Sequence, residues 1–272
     1  MRVVIAVIIG FAAGSSALGQ TSPHQRGTPV IPINRAPASE SVVVTRNQAW
    51  QVQATDHFDI YHQAPQPQID AAALEAERAY ARISANMDHE LTARMPVILV
   101  ANDADLPRTA EQAYQLVAAS GAPIGAEHLL LSGETLAQRP YWMAHELTHP
   151  FLFELLPAPV DFAAWVSEAL ADHHSGAWQP VALAAMRDSL TTGRVPAVES
   201  LAVSDRHWGH AVFDYIASQY GTDGVRRYIE VLSRRPQSGG DAIEEAFSTS
   251  PAEFNRAVEA YARSRLQRLG LT

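Results

Sequence analysis

Neither cysteine nor lysine occurs anywhere in the 272 residues. Without cysteine no disulfide can form and no lipid can be attached at a lipobox thiol. The cysteine usage therefore carries no information about redox compartment. Without lysine there is no side-chain amine to form an imine, which excludes Schiff-base chemistry. All 20 basic residues are arginine, mainly a compositional bias, and 29 Asp and Glu outnumber them to leave a formal net charge of −9. A chain of that sign is poorly suited to DNA, RNA or an anionic membrane surface. No G-x-S-x-G elbow is present, so a serine-hydrolase reading has no support. What is present is an ordinary globular composition, 47% apolar and 18% charged, with material for a sizeable core.

The N-terminus reads as a secretory signal peptide over residues 1–19. Arg2 supplies the basic start, Val3 to Gly14 form an apolar and small-residue run, and Ala17 and Gly19 sit where cleavage ahead of Gln20 needs small residues. The run is shorter than the roughly 20 residues that span a bilayer. The expectation is export to the periplasm or medium of a bacterium, with no stable membrane insertion after cleavage. Removing this segment takes one Arg and no acid, making the remainder one charge more negative. Residues 20–50, with Pro23, Pro29, Pro32 and Pro37, read as a flexible linker that carries at most a short strand at Val42–Val44.

From His57 the periodicities tighten into one α+β domain over 51–272. His57–Tyr61 alternates like a half-buried strand, 69–91 has helical spacing, 96–101 is a short apolar run suited to a central strand, 109–119 can form a helix, and Leu129–Leu131 another strand. That is a small α/β part, 51–138. The remainder, 139–272, reads as helices near 140–154, 160–175, 180–191, 207–220, 223–234, 240–247 and 251–268. Gly221 is placed to stop one helix, and Ser250 to cap the last, with Pro251 at its first position.

The chemistry concentrates in His145-Glu146-Leu147-Thr148-His149. Residues four apart lie on one face of a helix about a turn apart, so two imidazoles can hold one cation. Glu146 then stands beside the ion, positioned to take a proton from a water bound to it. With this composition about 0.03 such matches arise by chance; the bland alternative is a pair of solvated histidines on an amphipathic helix. A third ligand is needed. Residues 162–172, FAAWVSEALAD, form an apolar helix interrupted by Glu168 and Asp172 on one face, and buried carboxylates are costly unless paired or bound to metal. Glu168 can be the third ligand, and Asp172, one turn on, can hydrogen-bond the far nitrogen of a ligand histidine. The alternative is two exposed acids on a plain amphipathic helix.

HELTH followed by WVSEALAD resembles the gluzincins of the peptidase MA clan, which carry HExxH on one helix and a glutamate ligand on the next. The likeness covers much of 57–265, through HFDIY, WGHAVFDYIASQYG and AIEEAFSTSPAEF. It implies a zincin-like fold with the active-site cleft between the α/β and helical parts. It also implies zinc on His145, His149 and Glu168, Glu146 as general base, and Asp172 as a partner of a ligand imidazole. Two departures stand out. Ala169 replaces the usual glycine after the ligand, and Pro150 follows His149 directly, where it removes a helical bond and disfavours helical geometry at His149, so a kink or stop is expected there. Relatives stabilise the oxyanion with a downstream Tyr or His; His207 is favoured here over His210 and Tyr215. His173 and His174 follow the glutamate helix face too closely to be expected as ligands. The Leu129–Leu131 strand is a candidate for pairing with an extended peptide; Glu127 lacks the surroundings of an amine-binding acid.

These readings combine into an expectation of an exported zinc peptidase, acting on a peptide or protein by Glu-assisted attack of zinc-bound water on an amide. The competing expectation is a non-catalytic, zinc-stabilised binding protein of the cell envelope with the same fold.

Overall fold

A computed structural model describes residues 49–124, 126–155, 164–234 and 239–271. The expected signal peptide, nearly all of the linker and the Val42–Val44 strand lie outside the described residues. The layout is α+β, a small four-stranded sheet followed by a mostly helical second half. By compactness the chain divides into two units, 1–78 with 92–143 and 79–91 with 144–272.

The first unit is built on the sheet β1 (Gln51–Ala54), β2 (Phe58–His62), β3 (Met95–Val100) and β4 (Leu129–Ser132), in that spatial order. β1 is antiparallel to β2, while β2, β3 and β4 run parallel, with Ile60 opposite Val97 and Val97 opposite Leu129. Parallel neighbours require crossover connections, supplied here by α1 (Gln66–Met87) and α2 (Ala110–Ser120). β3 is buried along its whole length, as befits an apolar run between two neighbours. Ile98 packs with Val117 and Ala122, flanked by Trp50, Tyr61, Leu116 and Leu130. Thr109 caps α2 by accepting from the Gln112 amide, and Gly121 ends it at φ 78°. A short helix, α3 (Gly133–Gln138), follows β4, capped by Ser132. Neither β1 nor α3 was expected. β1 (QVQA) alternates polar and apolar residues over only four positions and is largely exposed, Val52 included, so it buries no apolar face of its own and is held by backbone pairing with β2.

The second unit comprises the end of α1 and then α4 (Trp142–Leu155, belonging to the unit from Ala144), α5 (Ala164–Ser175), α6 (Pro180–Thr192), α7 (Arg206–Arg234), α8 (Gly239–Phe247) and α9 (Pro251–Arg268). α4 does not stop at His149; it runs through the buried Pro150 for a further turn to Leu155. Proline removes the bond to the carbonyl four residues back, but Met143–Leu152 around it are buried, and the helix emerges into solvent only at Phe153–Leu155. The helices expected on either side of Gly221 form one run with a kink there, Gly221 taking φ 68°. Ser250 and Glu253 make the reciprocal cap of α9. Trp208, Phe213, Tyr228 and Phe254 fill the interior. At the seam of α5 and α7, a Cβ on Gly209 would lie 2.6 Å from that of Ala169 and 2.8 Å from the Trp165 ring, so the two backbones approach as only glycine permits. No helix among the described residues is long and apolar enough to cross a membrane.

Candidate metal centre

α4 and α5 bring three donors together within the second unit. His145, His149 and Glu168 each offer a ligand atom, all within 4.8 Å of one another. Both imidazoles turn Nε2 toward the glutamate: His145 Nε2 is 3.6 Å from Glu168 Oε2, and His149 Nε2 is 3.7 Å from Oε1. A tetrahedral ion with bonds of about 2.0–2.1 Å holds neighbouring donors about 3.3 Å apart. The spacing is therefore close to what such an ion requires and longer than a direct hydrogen bond. The histidines are buried, and the Glu168 side chain is 24% exposed, open to solvent on one side.

The far nitrogens are also held. Asp172 Oδ1 lies 3.1 Å from His145 Nδ1, and Ser167 Oγ lies 2.8 Å from His149 Nδ1. A ring whose Nδ1 donates presents a lone pair at Nε2, which is the arrangement metal-binding imidazoles use. α5 thus supplies one ligand and the partners of both ligand histidines.

Arg206, the first residue of α7, closes the arrangement. Its Nη1 is 2.8 Å from Glu168 Oε2, and its Nε and Nη2 donate to Asp172 at 2.8 and 2.6 Å. Sequence reasoning missed both Ser167 and Arg206. A serine inside a helix and an arginine at a helix start carry no signal of their own, and Arg206 is 34 residues from Asp172.

The electrostatics follow from burial and these partners. Burial pushes the His145 ring down, but hydrogen bonds to Asp172 and Glu168 and the nearby carboxylate charges raise it to about 9. Burial and the neighbouring His145 lower His149 to about 4, keeping it neutral. Burial opposes ionisation of Glu168, yet His145, His149 and Arg206 hold it down to about 2; Asp172 is held low by His145 and Arg206 against the same penalty. A position that stabilises positive charge this strongly, lined by the neutral His149 nitrogen and ionised oxygens, suits a divalent cation in place of the proton on His145. Glu146 is 3% exposed, and its Oε1 has no hydrogen-bond partner among the described residues. Burial raises it to about 7, against the lowering charges of His145 and Arg206.

The remaining candidates separate. His210 is buried, stacks on Trp178 with ring centroids 4.0 Å apart, and lies 3.4 Å from Asp214. Tyr215 packs edge-on against Phe254 and Tyr261. His207, next to Arg206, is half-buried with its ring against Trp208, and burial lowers its pKa. His173 and His174 turn away from the trio, to Asp214 and Thr148 respectively. In comparisons with known proteins the chain matches no family model and no curated protein.

Proposed function

We propose that the chain is an exported, zinc-dependent peptidase of gluzincin type with a zincin-like fold, His145, His149 and Glu168 being the ligands and Glu146 the general base. The observation that carries the reading is Glu146: a buried carboxylate with an oxygen unpartnered among the described residues, next to three converged metal donors. A site needing only a structural ion gains nothing from such a group, because a buried acceptor without a partner is costly. This favours hydrolysis over the non-catalytic binding protein.

Zinc held there supplies positive charge that acidifies water to a pKa of about 7 and polarises an amide carbonyl. Glu146 accepts the proton released by the attacking water and returns it to the leaving amine. Asp172 and Ser167 keep both imidazoles in the tautomer that leaves Nε2 free. Arg206 balances the carboxylates, and His207 is the group assigned to steady the oxyanion. The substrate class is peptide or protein.

Two measurements test this. Zinc content of the purified protein is expected near one ion per chain in wild type and in Glu146→Gln. Cleavage of a peptide library by wild type is expected to stop with a chelator and to fall at least a hundredfold in Glu146→Gln. Cleavage that survives zinc removal, or a Glu146→Gln variant as active as wild type, defeats the proposal.

A further inference from the structure

Three consecutive side chains of α5 leave the helix in three directions, and each ends on a different partner. Asp172 meets Arg206 and His145. His173 Nδ1 lies 2.7 Å from Asp214 Oδ1. His174 Nδ1 lies 3.2 Å from Thr148 Oγ1. Successive residues of a helix are about 100° apart, so these three bonds act over roughly 200° of its circumference. A helix held from so wide an arc cannot roll about its axis without breaking at least one of them.

The partners are themselves anchored. Asp214 also accepts from Trp178 Nε1 at 2.9 Å and lies 3.5 Å from Arg265. Thr148 donates to the Ala144 carbonyl at 2.8 Å, so its hydroxyl proton is committed and it accepts from His174. Thr148 and His174 are both buried, where a bond that is made counts fully and one that is broken leaves an uncompensated polar group. Thr148 lies between the two ligand-bearing turns of α4. The Arg82 guanidinium donates to the His174 carbonyl at 2.8 Å, securing the end of α5. Glu168 lies one turn before Asp172, so a roll of α5 would swing its carboxylate away from both Nε2 atoms.

We propose that His173 and His174 are positioning residues, which lock the rotation of α5 through Asp214 and Thr148 so that Glu168 faces His145 and His149. This rests on the reading of that trio as a metal centre. Neither histidine touches the metal donors; each acts through the helix that carries one of them.

The test is zinc affinity by competition with a chromophoric chelator, together with thermal denaturation of the metal-free protein. Asparagine places its amide Nδ2 close to the position of histidine Nδ1, so His173→Asn and His174→Asn keep the donor while His173→Leu and His174→Leu remove it. The leucine variants are expected to lose about tenfold to a hundredfold in zinc affinity, and the asparagine variants to stay near wild type. Thr148→Val against Thr148→Ser asks the same of the partner in α4 and serves should His174→Leu not fold: valine weakens zinc and serine does not. Leucine variants that bind zinc like wild type, or asparagine variants as impaired as the leucine ones, overturn the inference alone. A wild-type protein that binds no zinc, cobalt or manganese overturns both the inference and the metal-centre reading.

Discussion

The Ser167 hydroxyl, 2.8 Å from His149 Nδ1, is the least conspicuous side chain of the site and yields a clear prediction. Ser167→Ala removes the acceptor that sets the His149 tautomer. Zinc affinity is expected to fall about tenfold, measured by chelator competition, with little change in the stability of the metal-free protein; unchanged affinity would remove Ser167 from the metal centre. Asp214 gives a prediction about pH. Burial alone would raise its pKa, but His173 and His210 hold it well below the usual 3.8. A carboxylate with a depressed folded-state pKa contributes stability that is present above its unfolded value and is lost as pH falls through the folded one. Wild type should therefore weaken below about pH 4. Asp214→Asn should already be weaker at neutral pH, by about 3 kcal/mol, and should lose less on acidification. Urea denaturation at pH 7, 5 and 3 checks this, and parallel pH profiles for the two proteins contradict it.

At the scale of elements, the close seam of α5 and α7 decides where Glu168 stands. Gly209→Ala forces a methyl against Ala169 and Trp165. It is expected to cost about 1–3 kcal/mol by overpacking and, by displacing α5, to weaken zinc binding as well. Denaturation and metal competition on the same variant measure both; a variant as stable as wild type would show that the seam can open. The same seam bears on Ala169, which departs from the glycine that the resemblance read in the sequence implies after the glutamate. Here the glycine that admits close approach is on α7, facing Ala169 rather than replacing it. Elements with strong periodicity, such as α5, α6 and α9, were legible within a few residues. β1 was not, because four exposed residues give too short an alternation to stand out and become a strand only through pairing, and Pro150 suggested a kink or stop, of which the stop is overridden by burial of the helix around it.

For the whole molecule, the three donors all belong to the second compact unit, so zinc should stabilise that unit by mass action. At a thousandfold excess over its dissociation constant the gain is about 4 kcal/mol. Amide exchange is expected to slow in α4 and α5 on adding zinc and to recover with chelator; zinc-independent exchange in α5 would mean that Glu168 is not a ligand. Taken alone, the sequence determined the helical pairing of His145 with His149 and the place of Glu146 beside them, because an i, i+4 relation is local and follows from helix geometry. It also singled out Glu168 and Asp172 as acids on an otherwise apolar helix. Tertiary structure decided the rest: the approach of Glu168 to both imidazoles, the bridge from Arg206, the hydroxyl of Ser167, and the bonds of His173 and His174. Those partners are 18 to 41 residues apart in the chain, and no local periodicity records a contact that exists only once helices have packed.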